Sequence, residues 1–211
     1  MPEILPVSKI IRNRRTVKPA VMDPHLEVPR ELIEELFENA NWAPTHGFTE
    51  PWRFKVFTGD TRNALAASLQ ALYTEHTPED QFREDKLVKL GRNPLLAPVV
   101  IAICMRRGDN PKIPVIEEVE AVACAVQNMH LTASAAGLGA FWSSPPVLDT
   151  MGMRDFLGLR EEDCCLGLFY LGWLKEGERW PESSRQPTVE KVEWMAAAGT
   201  GDLKGHACAG G

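Results

Sequence analysis

The stretch from Glu117 to Pro146 constrains this chain more than any other. Glu117, Glu118 and Glu120 stand ahead of sixteen residues, Ala121 to Ala136, that contain no Asp, Glu, Lys or Arg. Carboxylates in a first turn oppose the positive end of the helix dipole, so the acidic group marks a helix start. A helix that is small and apolar on every face belongs in an interior. Gly137 reads as a left-handed cap, and Leu138-Gly139-Ala140-Phe141-Trp142 as a short buried strand that breaks off at Ser143-Ser144-Pro145-Pro146. A strand ending in a rigid polar corner is either a ligand site or an ordinary loop. Within the helix, Gln127, His130 and Ser134 share a face and read as satisfied core polar groups.

The rest of the chain supplies layers for that helix and strand to pack against. Ser8 is a candidate cap for a short helix carrying Ile10 and Ile11 inward. Apolar positions 32, 33, 36, 37 and 40 predict an amphipathic helix over 30–40. Arg53 to Phe57 alternates as a strand, Thr61–Tyr73 and Pro78–Leu90 read as surface helices, and Pro98 to Met105 is a buried strand. A short helix over 147–157 closes at Gly158, and Cys164 to Leu174 is the last apolar strand. One domain over 1–195 is expected, followed by a disordered tail at 196–211.

Two local clusters carry chemistry. Arg12, Arg14, Arg15 and Lys18, with the Thr16 hydroxyl among them, form the densest basic group in a chain of net charge −6. Planar guanidinium forks and a hydroxyl suit a phosphate, although a basic helix end in water has the same composition. The loop from Trp42 to Trp52 holds two prolines, a glycine, two tryptophans and His46, suited to a flat heterocycle.

Several classes are excluded. The acidic balance argues against a broad nucleic-acid surface. Gly137-x-Gly139 lacks the third glycine of a dinucleotide turn, since position 142 is Trp. No histidine pair has zinc-ligand spacing, and there is no Gly-x-Ser-x-Gly elbow. Five cysteines, odd in number, with Cys164 and Cys165 adjacent and no Cys-x-x-Cys, point to reduced thiols and a cytoplasmic protein. No signal pattern or membrane-spanning run is visible.

Four segments, spread over roughly residues 4 to 187, resemble the FMN-dependent nitroreductase family in its short single-domain bacterial subgroup. They are Asn13-Arg14-Arg15-Thr16-Val17-Lys18, Ala43-Pro44-Thr45-His46 running to Glu50-Pro51-Trp52-Arg53-Phe54, Gly137 to Ser144, and Leu168-Phe169-Tyr170-Leu171-Gly172. The resemblance implies an α+β sandwich, with a mixed and mostly antiparallel sheet flanked by helices, in an intertwined homodimer with FMN at the interface. By position, Arg14, Arg15, Thr16 and Lys18 would hold the FMN phosphate, ribityl and pyrimidine side. Trp42, Pro44, Thr45 and His46 would reach the same flavin from the partner subunit. Trp142, Ser143 and Ser144 would line the ring edge, and Arg185 would match a phosphate contact. The chain departs from the family pattern at Thr16, Glu50 and Trp42.

The implied activity is NADH or NADPH delivering hydride to FMN, followed by reduction of a nitroaromatic, quinone or similar acceptor in a ping-pong cycle. Lys18 or Arg14 would stabilise the negative charge of the reduced flavin, and no catalytic acid is assigned. A protein that stores or senses FMN without turnover, or a specialised flavin oxidase or dehalogenase, would carry the same binding residues.

Overall fold

The computed structural model describes residues 5–195; the tail expected at 196–211 lies outside them. In chain order the helices are α1 (Pro6–Asn13), α2 (Arg30–Asn41), α3 (Thr61–His76), α4 (Glu84–Leu96), α5 (Val115–Ala135) and α6 (Met151–Leu157). The strands are β1 (Trp52–Thr58), β2 (Val99–Met105), β3 (Gly139–Ser143) and β4 (Cys164–Gly172). They form one antiparallel sheet in the order β1-β2-β4-β3. The architecture is the expected α+β sandwich.

Central strands β2 and β4 are covered on both faces, which is why they read as continuous apolar runs. Ile101, Ile103, Met105, Phe169 and Leu171 pack toward α2 and α5. Val100, Ala102, Leu168 and Tyr170 pack toward α3 and α6. Cys104 and Cys165 face each other across β2 and β4 at a register shift, and their hydrogen bond with burial pushes the Cys104 thiol up. Both are buried, packed thiols.

At the β3 edge the sheet acquires its mixed character. Thr16 bridges Ala140 in parallel, and the Val17 amide donates to the Ala140 carbonyl at 2.8 Å. Gly139 permits this approach, because a Cβ there would lie 2.8 Å from Val17 Cγ1. Gly137, at φ +82°, closes α5 in a Schellman arrangement: Leu138 N donates to the Ala133 carbonyl and Gly137 N to Ser134.

Four expectations need correction. Helix α1 starts at Pro6 with Leu5 as its cap, so Ser8 sits inside it and caps nothing. Its apolar residues do not turn inward: Val7, Ile10 and Ile11 are exposed, because no other element among the described residues covers that face. Helix α5 is buried on one side only, through Ala121, Val122, Ala125, Met129 and Ala133, while Ile116, Cys124, Gln127 and Ala135 are exposed. The 78–90 segment divides into a 3-10 turn at Glu79–Gln81 and α4, which starts at Glu84 and runs through Pro94. The Tyr73 hydroxyl accepts the Arg83 amide at 2.9 Å just before that start.

Among the described residues, no helix is long and apolar enough to cross a membrane, and no cluster of three or more His, Cys, Asp or Glu could hold a metal ion.

Candidate functional site

The cationic segment owes its shape to the β3 edge. Val17 is fully buried and anchors the backbone, leaving Thr16 and Lys18 exposed on either side of it. Arg14 Nη1 lies 3.4 Å from Thr16 Oγ1 and 3.4 Å from His130 Nε2. Among the described residues no carboxylate pairs with Arg14; burial, Arg185 and Arg15 all lower its pKa. Arg15 is differently employed. It donates Nε to the Pro181 carbonyl at 3.0 Å and Nη1 to the Arg12 and Arg14 carbonyls. That ties the 181–185 segment to the amino end and brings Arg185 into electrostatic range of Arg14, while Arg185 donates to Ser183 Oγ and the Ser184 carbonyl.

The strand corner lies on the same edge. Trp142 Nε1 and Ser144 Oγ both donate to the Leu166 carbonyl, at 3.2 and 2.8 Å, and Ser143 ends β3 opposite Leu168. Gly167 makes room for the indole, since a Cβ there would land on Trp142 Nε1. Ala140, which holds Thr16 and Val17, is two residues from Trp142. The chain therefore brings Arg14, Arg15, Thr16, Lys18, Arg185 and the 142–144 corner to one side.

Trp42, Pro44, Thr45 and His46 are elsewhere. His46 Nδ1 pairs with Glu117 Oε2 in the first turn of α5. His130, beside Arg14, is thirteen residues further along that helix, or about 20 Å at 1.5 Å per residue. Within one chain the two groups do not meet. The loop itself is taut. Gly47, Phe48 and Glu50 have φ of +59°, +55° and +41°, a left-handed backbone that strains the two non-glycine residues. Thr45 Oγ1 secures it by accepting the Glu50 amide at 3.2 Å and bonding Thr49 Oγ1 at 3.0 Å. Trp42 and Phe48 are 79% and 89% exposed, whereas Trp52 is core and donates to Asn41 Oδ1.

A cleft of about 860 Å³ lies between α2 and the sheet, lined by Val28, Ile33, Phe37, Val56 and Val99. None of the candidate site residues read from the sequence lines it. Of its arginines, Arg30 pairs with Glu34, and Arg62 donates to the Gly59 and Ala97 carbonyls.

The model of the nitroreductase family matches residues 11–173. The chain belongs to the nitroreductase family. It is 31% identical over 143 residues to the Escherichia coli (strain K12) protein named "Putative NAD(P)H nitroreductase YdjA", covering 67% of this chain and 75% of the other. A nitroreductase-like family protein from Bacillus cereus superposes with a TM-score of 0.74 at 26% identity, covering 92% of this chain and 98% of that one. The FMN- and NADPH-dependent nitroreductase NfnB from Sphigopyxis sp. strain HMH shares the fold, with a TM-score of 0.71 at 20% identity over 91% of this chain and all of the other.

Two buried carboxylates have partners that the sequence pattern did not indicate. Glu118 is 1% exposed; its carboxylate accepts Arg107 Nη1 at 2.5 Å and the Gly108 amide at 2.9 Å. Asp163, also buried, accepts the Arg107 and Arg160 amides and the Arg160 guanidinium. Burial opposes its charge, yet these donors outweigh it and hold the carboxyl below its ordinary pKa. The loop fixed by Glu118 lies under the taut loop: a Cβ on Gly108 would meet Thr49 Cγ2 at 3.1 Å, and one on Gly47 would meet Ile113 Cδ1 at 2.9 Å. In the sequence Glu118 reads as one of three acidic residues at a helix start, and its partner Arg107 is eleven positions away and brought in by the fold.

Proposed function

We propose that this protein is a cytoplasmic, homodimeric FMN-dependent oxidoreductase that uses NADH or NADPH to reduce nitroaromatics, quinones or similar electron-poor acceptors. The observation that carries the reading is Arg14: a half-buried guanidinium with no carboxylate partner among the described residues, repelled by Arg15 and Arg185 and beside the Thr16 hydroxyl. Cations gathered without counter-charge suit an anionic ligand, and the adjoining Trp142–Ser144 corner, fixed by the bonds of Trp142 and Ser144 to the Leu166 carbonyl, offers a rigid wall for a flat ring. The residues present fit FMN.

In this reading Arg14, Thr16, Lys18 and Arg185 bind the phosphate and polar side of FMN. Arg15 mainly buttresses the 181–185 segment, because carbonyl groups already occupy its donors. Trp142, Ser143 and Ser144 wall the ring. When bound, FMN supplies the redox chemistry, accepting hydride from a nicotinamide and passing electrons to the acceptor. Lys18 or Arg14 offsets the negative charge that develops.

The separation of the 42–46 loop from the cations supports a site completed by a second copy, with the partner subunit's loop closing over the ligand. The exposed apolar faces of α1 and α5 and the bare Trp42 and Phe48 are the kind of surface that such a dimer buries.

Nicotinamide and acceptor would occupy one pocket in turn. Initial rates measured while both are varied should give parallel double-reciprocal lines; intersecting lines would count against that order of events.

A further inference from the structure

We infer that His130 is a positioning residue for the anion site, fixing the Arg14–Arg15 turn from inside the protein so that the Arg14 guanidinium is presented to the phosphate of the bound cofactor. The inference rests on the FMN reading above and adds to it a buried residue of α5.

His130 sits where three pieces of chain cross. Its Nε2 is 3.1 Å from the Arg15 carbonyl and 3.4 Å from Arg14 Nη1. Its ring stands edge-on to Phe169 of β4, with centroids 5.4 Å apart, and it is 7% exposed. The Ala140 backbone, which holds Thr16 and Val17 on the β3 edge, also faces it. A single imidazole on the central helix therefore touches the cationic segment, the strand leading to the serine corner, and β4.

Its chemistry suits the task better than an acid would. A carboxylate here would neutralise Arg14 and remove the charge that the site needs. A protonated imidazole would repel Arg14. Burial and the Arg14 charge lower the His130 pKa to about 4, so at neutral pH the ring is uncharged. The neutral ring donates Nε2–H to the Arg15 carbonyl, the shorter of its two contacts, and holds the peptide without consuming the neighbouring cation. Arg14 is thus placed by a neutral group and remains available for an anion.

Apoprotein titrated with FMN, followed by flavin fluorescence quenching, tests this in the wild type, H130L, H130Q, H130N, R14A and H130L/R14A. Losing a hydrogen bond that orients a charged group should weaken FMN binding by about tenfold or more in H130L. Gln reaches the Arg15 carbonyl with an amide N–H and should recover most of that affinity; the shorter Asn should not. In the R14A background the H130L change should cost little more, because the two act as a unit. An H130L affinity within about twofold of wild type, or the same fold loss with and without Arg14, would overturn the inference. If H130L does not fold, equal FMN affinity in H130Q and H130N overturns it. Wild-type protein that fails to bind FMN would instead refute the functional reading.

Discussion

Replacing Glu118 is predicted to destabilise this protein far more than an ordinary acidic residue at a helix start would. The carboxylate is 1% exposed and its partner Arg107 is 16% exposed, so solvent screens the pair little. Glu118→Ala removes the bond to Arg107 and the acceptor of the Gly108 amide, leaving the guanidinium with only the Ile113 carbonyl that it already holds. Stranding one member of a buried ion pair costs about 3–5 kcal/mol. Glu118→Gln keeps an acceptor for Gly108 and loses the charge, for about 1.5–3 kcal/mol. Urea denaturation at neutral pH measures both, and at about 2–4 °C per kcal/mol for a chain of this size the Ala variant should melt roughly 6–20 °C lower. The double variant R107M/E118L, with neither charge left, should lose less than the two single changes summed. Because this loop supports the 45–50 loop, cofactor affinity should fall as well. An Ala variant within about 1 kcal/mol of wild type, or a fully additive double variant, would refute the reasoning.

Gly139→Ala should push Val17 from the β3 edge, costing about 1–3 kcal/mol in denaturant titration and weakening FMN binding because Thr16 and Lys18 move with it. Gly167→Ala should displace the Trp142 indole, visible as changed tryptophan fluorescence and altered protein-bound flavin absorbance. His130 gives a signed pH dependence. Its pKa falls from 6.5 to about 4 on folding, so the unfolded chain binds the extra proton between those values. The resulting stability is complete above about pH 6.5 and is lost as pH falls toward 4, by about 3 kcal/mol, and the wild type minus H130Q difference in urea stability should follow that curve. If each site draws on two chains, mixing denatured R14A and H46A and refolding them together should restore activity to roughly a quarter of wild type, whereas separately refolded samples stay low.

Most of the architecture was legible because it follows from one-dimensional patterns. The apolar runs of β2 and β4, the 3.6-residue period of α2 and the cap at Gly137 depend on local spacing alone. Two of the misreadings share a cause: α1 and α5 carry apolar faces that no other described element covers, so Ile10 and Ile11 read as core while they lie exposed. The site divides similarly. The clustered cations and the serine corner stood out by composition, and the β3 edge brings them together. Arg15 illustrates what composition does not reveal, since only the fold shows that backbone carbonyls take up its guanidinium. His130 and Glu118 were visible as residue types, but their roles depend on partners brought in by the fold: the Arg14–Arg15 turn, and the Arg107–Gly108 loop.

The central claim is that Arg14, its neighbours and the Trp142–Ser144 corner hold an FMN that a nicotinamide can reduce. Anaerobic addition of NADH, and separately NADPH, to FMN-loaded protein tests it most directly. The account predicts a yellow protein with one FMN per chain whose absorbance bleaches rapidly with at least one nicotinamide and returns when a quinone or nitroaromatic is added. A protein that cannot be loaded with FMN, or one that stays yellow with both nicotinamides, would contradict it.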